Sequence, residues 1–216
     1  MFENIIKNVH NRHPLIHCIT NYVSINDCAN IVLACGGAPI MAEDINEVSQ
    51  ITSLCQGLDI NIGMLNDNKL SSMLKAGATA NELGIPVILD PVGAGSSDYR
   101  IKAVQNLMSN VQFGVIRGNV SEIKAIAAKQ GIHNIAAGVY DTMQKDKSAM
   151  GVEAGIADKI TDDNIKEMAD FINKLSQKTG AVIAVTGGID IVADENRVYA
   201  IRNGHNMLSL FTGAGC

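Results

Sequence analysis

Six segments of this chain place small, polar or charged residues where an apolar run stops. They read Thr20-Asn21, Asn61-Ile62-Gly63, Asp90-Pro91-Val92-Gly93-Ala94-Gly95, Arg117-Gly118-Asn119, Thr186-Gly187-Gly188 and Thr212-Gly213-Ala214-Gly215-Cys216. In the last, two positions without side chains let a backbone bend approach a ligand closely, and successive amides in such a bend can cradle an anion. Phosphoryl transfer is mostly positioning and charge stabilisation, so that nest suits a phosphoryl group in transit. Cys216 stands beside it, where a thiolate can take a proton from a hydroxyl. On its own, the motif reads more simply as a Gly-rich turn with an inert thiol.

The other ends carry similar paired readings. Asp90 can hold Mg²⁺ together with phosphate oxygens, or begin an Asp-Pro turn. Arg117 offers a planar fork for phosphate oxygens. Asn119 can cap a helix whose third position is Glu122, which makes Glu122 either a capping partner or a carboxylate aimed at a metal from the same rim. Thr186 can give its hydroxyl to a phosphate or simply start a turn. His17, Cys18, Cys28 and Cys35 lie in apolar surroundings and read as packing. No G-x-x-x-x-G-K-[ST] loop, G-x-S-x-G elbow or H-E-x-x-H pair occurs.

Positioning these ends requires alternating elements. Phe2, Ile5, Ile6 and Val9 predict an opening helix, and Pro14 to Ile19 a strand. A helix over 26–35, a short apolar run at Ala38 to Met41 and a helix from Glu43 to Cys55 follow. Leu58 to Ile62 and Val87 to Leu89 are strands around a helix from Asp67 to Leu83, which Gly84 and Pro86 close. A helix over 99–110, a strand from Phe113 to Ile116 and a helix from Ser121 to Lys129 repeat the pattern. Ile165, Met168, Ala169, Ile172 and Leu175 mark one more helix face. Ala181 to Val185 is a strand, and Ile189–Ala193 with Arg197–Ile201 forms a hairpin around Asp194-Glu195-Asn196. The stretch His133 to Lys159 reads as a loop-and-helix insertion on the surface. Such alternation predicts a mainly parallel sheet with helices on both faces and an added antiparallel edge, and ligands collect beyond the carboxyl ends of such strands.

The chain's 216 residues suit one α/β domain over 1–216. A formal charge of -5 without a basic cluster disfavours nucleic acid, and no apolar run is long enough to span a bilayer. Five cysteines, odd in number and without CxxC spacing, fit a reducing cytoplasm.

Taken together, His17-Cys18-Ile19-Thr20-Asn21-Tyr22-Val23, Ala38-Pro39-Ile40-Met41-Ala42, Asn61-Ile62-Gly63, Leu89-Asp90-Pro91-Val92-Gly93, Ile116-Arg117-Gly118-Asn119, Val185-Thr186-Gly187 and Thr212–Cys216 resemble the hydroxyethylthiazole kinase family. They occur in that family's order over almost the whole chain. The resemblance implies a ribokinase-like α/β fold, ATP-dependent phosphorylation of the primary alcohol of 5-(2-hydroxyethyl)-4-methylthiazole in thiamine salvage, Mg²⁺, and a homotrimer with sites between subunits. It casts Asn21, Met41, Gly63 and Gly213 as thiazole contacts, and Arg117 and Thr186 as ATP contacts. Asp90 and Glu122 become the metal-side carboxylates and Cys216 the catalytic thiol. The chain departs from the family in a longer stretch at 133–150, and in stopping at Cys216, where a covering C-terminal helix is expected to follow. The rivals are a kinase of the same fold for a hydroxymethylpyrimidine, against which Pro39-Ile40-Met41 and Cys216 speak, and a form that binds the thiazole without turnover.

Overall fold

The computed structural model describes residues 2–132 and 159–205 together with Met207 and Leu210. Most of the expected insertion, and the whole Thr212–Cys216 bend, lie outside the described residues.

Helix α1 (Phe2–Arg12) leads into β1 (Leu15–Ile19), α2 (Ile25–Ala34), β2 (Ala38–Ile40), α3 (Val48–Leu54), β3 (Gly57–Asn61), α4 (Asp67–Glu82) and β4 (Val87–Asp90). Then come α5 (Asp98–Asn110), β5 (Val115–Asn119), α6 (Val120–Lys129), α7 (Ile165–Thr179), β6 (Val182–Thr186), β7 (Asp190–Ala193) and β8 (Val198–Ile201). The strands form one sheet in the order β2-β1-β3-β4-β5-β6-β7-β8. From β2 to β6 every pairing is parallel, and β7 and β8 add the antiparallel edge. Chain direction therefore reverses its sideways travel between β2 and β3, which opens a crevice at the carboxyl ends of β1 and β3.

Right-handed crossovers put α2 on one face of this sheet and α3 to α7 on the other. Burial follows that division. Leu58, Ile60, Val87, Leu89, Ile116, Ile183 and Val185 point into the main core, where Met73, Leu107, Ile123, Ile126, Phe171 and Ile172 meet them. The alternate residues on the second face are more open, and Ile88 is 41 % exposed beside fully buried Leu89. Helices thus flank both faces, unevenly among the described residues.

Local chemistry explains the element limits. Asn66 and Ser97 cap α4 and α5 by accepting from the amides of Lys69 and Arg100. Asn119 and Glu122 form a reciprocal capping box at the start of α6. Gly180 ends α7 at φ 71, a left-handed conformation that favours glycine. The helix expected from Glu43 begins later, at Val48. Asp44 is the reason: its carboxylate accepts from the amide and side chain of Asn46 at 2.8 and 2.9 Å, holding a turn in place of the first helical turn. Asp194 organises the β7–β8 turn in the same manner, accepting from the amides of Asn196 and Arg197.

Candidate active site

Parallel pairing brings the ends of four adjacent strands side by side, and their polar residues join into one hydrogen-bonded chain. Asn21, just past β1, donates to Asn61 Oδ1 at 3.3 Å. Asn61, the last residue of β3, donates to Asp90 Oδ2 at 3.1 Å. Arg117 on β5 reaches that same Asp90 oxygen at 3.3 Å. Asn21 is itself oriented, because its carbonyl oxygen accepts from the amide and hydroxyl of Ser24, both at 3.0 Å. Gly63 belongs to the chain through its amide, which donates to Asn61 Oδ1 at 2.8 Å. A Cβ at Gly63 would stand 2.9 Å from that oxygen and 3.1 Å from Asn21 Nδ2, so the close approach requires glycine.

Glu122 performs its capping role and a second one. Its Oε2 accepts from the Asn119 amide at 2.8 Å, while Oε1 accepts from the Gly93 amide at 2.8 Å. The carboxylate therefore ties the loop after β4 to the start of α6. Thr186 ends β6 opposite Asn119, with its hydroxyl 3.5 Å from the Gly118 carbonyl. Met41 follows β2 on the same rim, half-buried. Asn21, Gly63, Asp90, Arg117 and Glu122 are thus gathered. Thr186 and Met41 flank them on either side, while Gly213 and Cys216 lie outside the described residues.

The electrostatics are uneven. Burial pushes Asp90 up to about 7, against the opposing Arg117 guanidinium and with help from the charges of Glu122 and Asp59. Desolvation likewise pushes Asp59 up to about 6, and burial raises Glu122 despite its two backbone donors. Asp90 Oδ1 is buried with no hydrogen-bond partner among the described residues. Such an orphaned oxygen costs about 1–3 kcal/mol unless something binds it. A hard cation fits that donor: Mg²⁺ takes one or two carboxylates and fills its remaining positions with phosphate and water oxygens. Among the described residues there is no group of three or more His, Cys, Asp or Glu that could hold a metal ion.

Several residues that shape this rim are not among the expected site residues. Asn61 is the central link, and Asp59 sits two residues below it on the same strand face. Lys69 is buried in the first turn of α4, donates to the Thr20 carbonyl at 2.5 Å and pairs with Glu43 at 2.9 Å. Its ammonium also lies 4.4 Å from the centre of the Tyr22 ring, whose hydroxyl donates to Glu43. Arg100 reaches the backbone of two rim loops. Asn61 at a strand end and Asp59 within an apolar run were the available signals. The partners of the others depend on strand order.

Comparison with known proteins agrees with this architecture. A family model described as the hydroxyethylthiazole kinase family matches residues 6–216. A hydroxyethylthiazole kinase of Clostridium acetobutylicum is 51 % identical over 216 residues, all of this chain and 73 % of that protein. One from Methanobrevibacter smithii is 43 % identical over 212 residues, 98 % of this chain and 70 % of the relative. The solved structure of hydroxyethylthiazole kinase from Pyrococcus horikoshii superposes with a TM-score of 0.81 at 33 % identity, covering 99 % of this chain and 71 % of the other. The ribokinase-like α/β fold is thereby shown.

Proposed function

Because this chain belongs to the hydroxyethylthiazole kinase family, we propose that it phosphorylates the primary hydroxyl of 5-(2-hydroxyethyl)-4-methylthiazole at the expense of ATP, with Mg²⁺. The observation that carries the reading is the hydrogen-bonded chain from Asn21 through Asn61 and Asp90 to Arg117. It joins an acceptor end of the rim, rich in amides and glycine, to a phosphate end rich in charge. Asn21, Met41, Gly63 and Gly213 hold the thiazole, and Arg117 and Thr186 hold the ATP phosphates. Asp90 and Glu122 are the carboxylates that would hold Mg²⁺, which when bound would neutralise charge on the transferring phosphates. Cys216 takes the hydroxyl proton. Arg117 keeps the phosphate end cationic beside Asp90, and the Asn61 amide orients the Asp90 carboxylate through Oδ2. Gly63 leaves room for a ring against the Asn21–Asn61 pair.

The test is ADP production with the thiazole alcohol and, in parallel, a hydroxymethylpyrimidine, each with and without Mg²⁺. Turnover restricted to the thiazole and dependent on metal is expected. Preference for the pyrimidine would transfer the chain to the rival activity, and calorimetric binding of the thiazole without ADP would leave a binding protein.

We also infer a homotrimer. Helix α2 is apolar, yet none of its residues is buried. Ile31 and Leu33 on it are 62 % and 56 % exposed, and Val23 before it is 68 % exposed. An apolar surface of that kind is an interaction site in a folded protein, and here it adjoins Asn21. Sedimentation should give three protomers for the wild type and one for Ile31→Glu; a wild-type monomer would remove the assembly. Among the described residues no helix is long and apolar enough to cross a membrane. Cys18, Cys28, Cys35 and Cys55 are free thiols, consistent with a reducing cytoplasm as the site of action.

A further inference from the structure

Arg100 occupies the third position of α5, and its guanidinium turns back past the helix start into the gap between two loops. Nη1 donates to the Ile62 carbonyl at 2.6 Å and to the Val92 carbonyl at 2.7 Å. Nη2 donates to the Gly63 carbonyl at 2.7 Å. Ile62 and Gly63 follow β3, whereas Val92 follows β4, so a single side chain binds two separate loops.

Helix stability does not explain this placement. A cation in the first helical turn opposes the macrodipole. The three carbonyl oxygens, on the other hand, would repel one another if brought this close without a cation between them. A planar guanidinium can satisfy all three with charge-assisted bonds in a fixed fork, which an ammonium cannot reproduce. Each bound loop also leads to the site. The amide of Gly63 donates to Asn61, which donates to Asp90. The amide of Gly93, next to Val92, donates to Glu122.

We propose that Arg100 is a positioning residue that sets the separation between the acceptor loop at Ile62–Gly63 and the carboxylate loop at Val92–Gly93. It touches neither the thiazole nor ATP. Its effect on turnover rests on the activity proposed above, whereas its effect on loop geometry does not.

The experiment compares wild type with Arg100→Met, Arg100→Lys and a control, Leu107→Ala, which opens the core at the far end of the same helix. Amide hydrogen exchange is followed at Gly63 and Gly93, and steady-state kinetics are measured with thiazole, ATP and Mg²⁺ varied in turn. In Arg100→Met both amides should exchange about tenfold faster or more relative to the core strands. The thiazole KM and the Mg²⁺ half-saturation should each rise severalfold and kcat should fall. Arg100→Lys should recover only part of the loss. Leu107→Ala should speed exchange throughout the core while leaving the thiazole KM and the Mg²⁺ requirement unchanged. Wild-type exchange at both glycines in Arg100→Met, or acceleration spread evenly as in the control, would overturn the proposal. If the wild type produces no ADP, the activity assignment fails, and the exchange comparison still decides the clamp.

Discussion

Asp90 presents two oxygens with different surroundings. Oδ2 accepts from Asn61 and Arg117, whereas Oδ1 is buried without a partner among the described residues. The consequence for stability has a definite sign. An ordinary aspartate ionises near 3.8, and burial moves this one up to about 7. Between those values the native state binds the extra proton, so stability of the metal-free protein falls as pH rises through that interval and then levels off. Asp90→Asn removes the buried charge and keeps an acceptor for Asn61 and Arg117. It should stabilise the metal-free protein by about 2 kcal/mol at about pH 8 and leave it unchanged at about pH 4. ADP production should fall sharply, because a neutral amide oxygen holds a divalent cation far more weakly than a carboxylate does. Thermal unfolding at the two pH values checks the stability claim, and an unchanged melting temperature at the higher pH would contradict it. Cys216→Ser tests the proposed proton acceptor: kcat should fall about 100-fold with KM within about twofold, since a proton-transfer group acts in the transition state. Full activity in that variant would make the thiol a bystander.

At the scale of elements, α3 to α6 pack side by side over the main face of the sheet, and a glycine on α4 packs against the end of α5. Gly77 lies in the middle of α4, where alanine would ordinarily gain about 1 kcal/mol from helix propensity. A Cβ there would meet Val111 Cγ2 at 2.5 Å and Cγ1 at 2.8 Å. Both contacts belong to a short branched side chain held at the end of α5, so little can give. Gly77→Ala should therefore destabilise by about 1–2 kcal/mol despite the propensity gain, the overpacking penalty being larger. Denaturant midpoints decide this, and a stabilised variant would show that α4 and α5 can move apart freely. Lys69 and Arg100 express another regularity of these helices. Each stands at the third position after its cap, each opposes the helix dipole, and each spends its charge on loop carbonyls at the rim. Lys69→Met should raise the thiazole KM by about fivefold or more by freeing Thr20 and Glu43 from one another, which initial rates at varied thiazole would reveal.

Across the whole molecule, the two faces of the sheet are unequal among the described residues. Leu89→Ala should cost about 3 kcal/mol, as a deletion from a closed core, whereas Ile88→Thr on the open face should cost less than about 1 kcal/mol. Similar losses in both would mean that the second face is covered in solution. Much of this organisation was legible beforehand. Strand and helix positions follow from apolar period and from caps such as Asn119 with Glu122, because those interactions join residues three or four apart. The polar strand ends were legible too, since an apolar run that stops at Asp90 or Thr186 advertises where the sheet opens. The late start of α3 was not, because a single Asx turn at Asp44 outweighed the helical pattern around it. What tertiary structure alone decided is adjacency. Asn61 and Asp90 lie 29 positions apart, and Arg100 and Ile62 lie 38 apart. They meet only because β3, β4 and β5 are neighbours in the sheet order. Local propensity and hydrophobic period act within one element, whereas the partners of a buried charge are assigned when separate elements pack together.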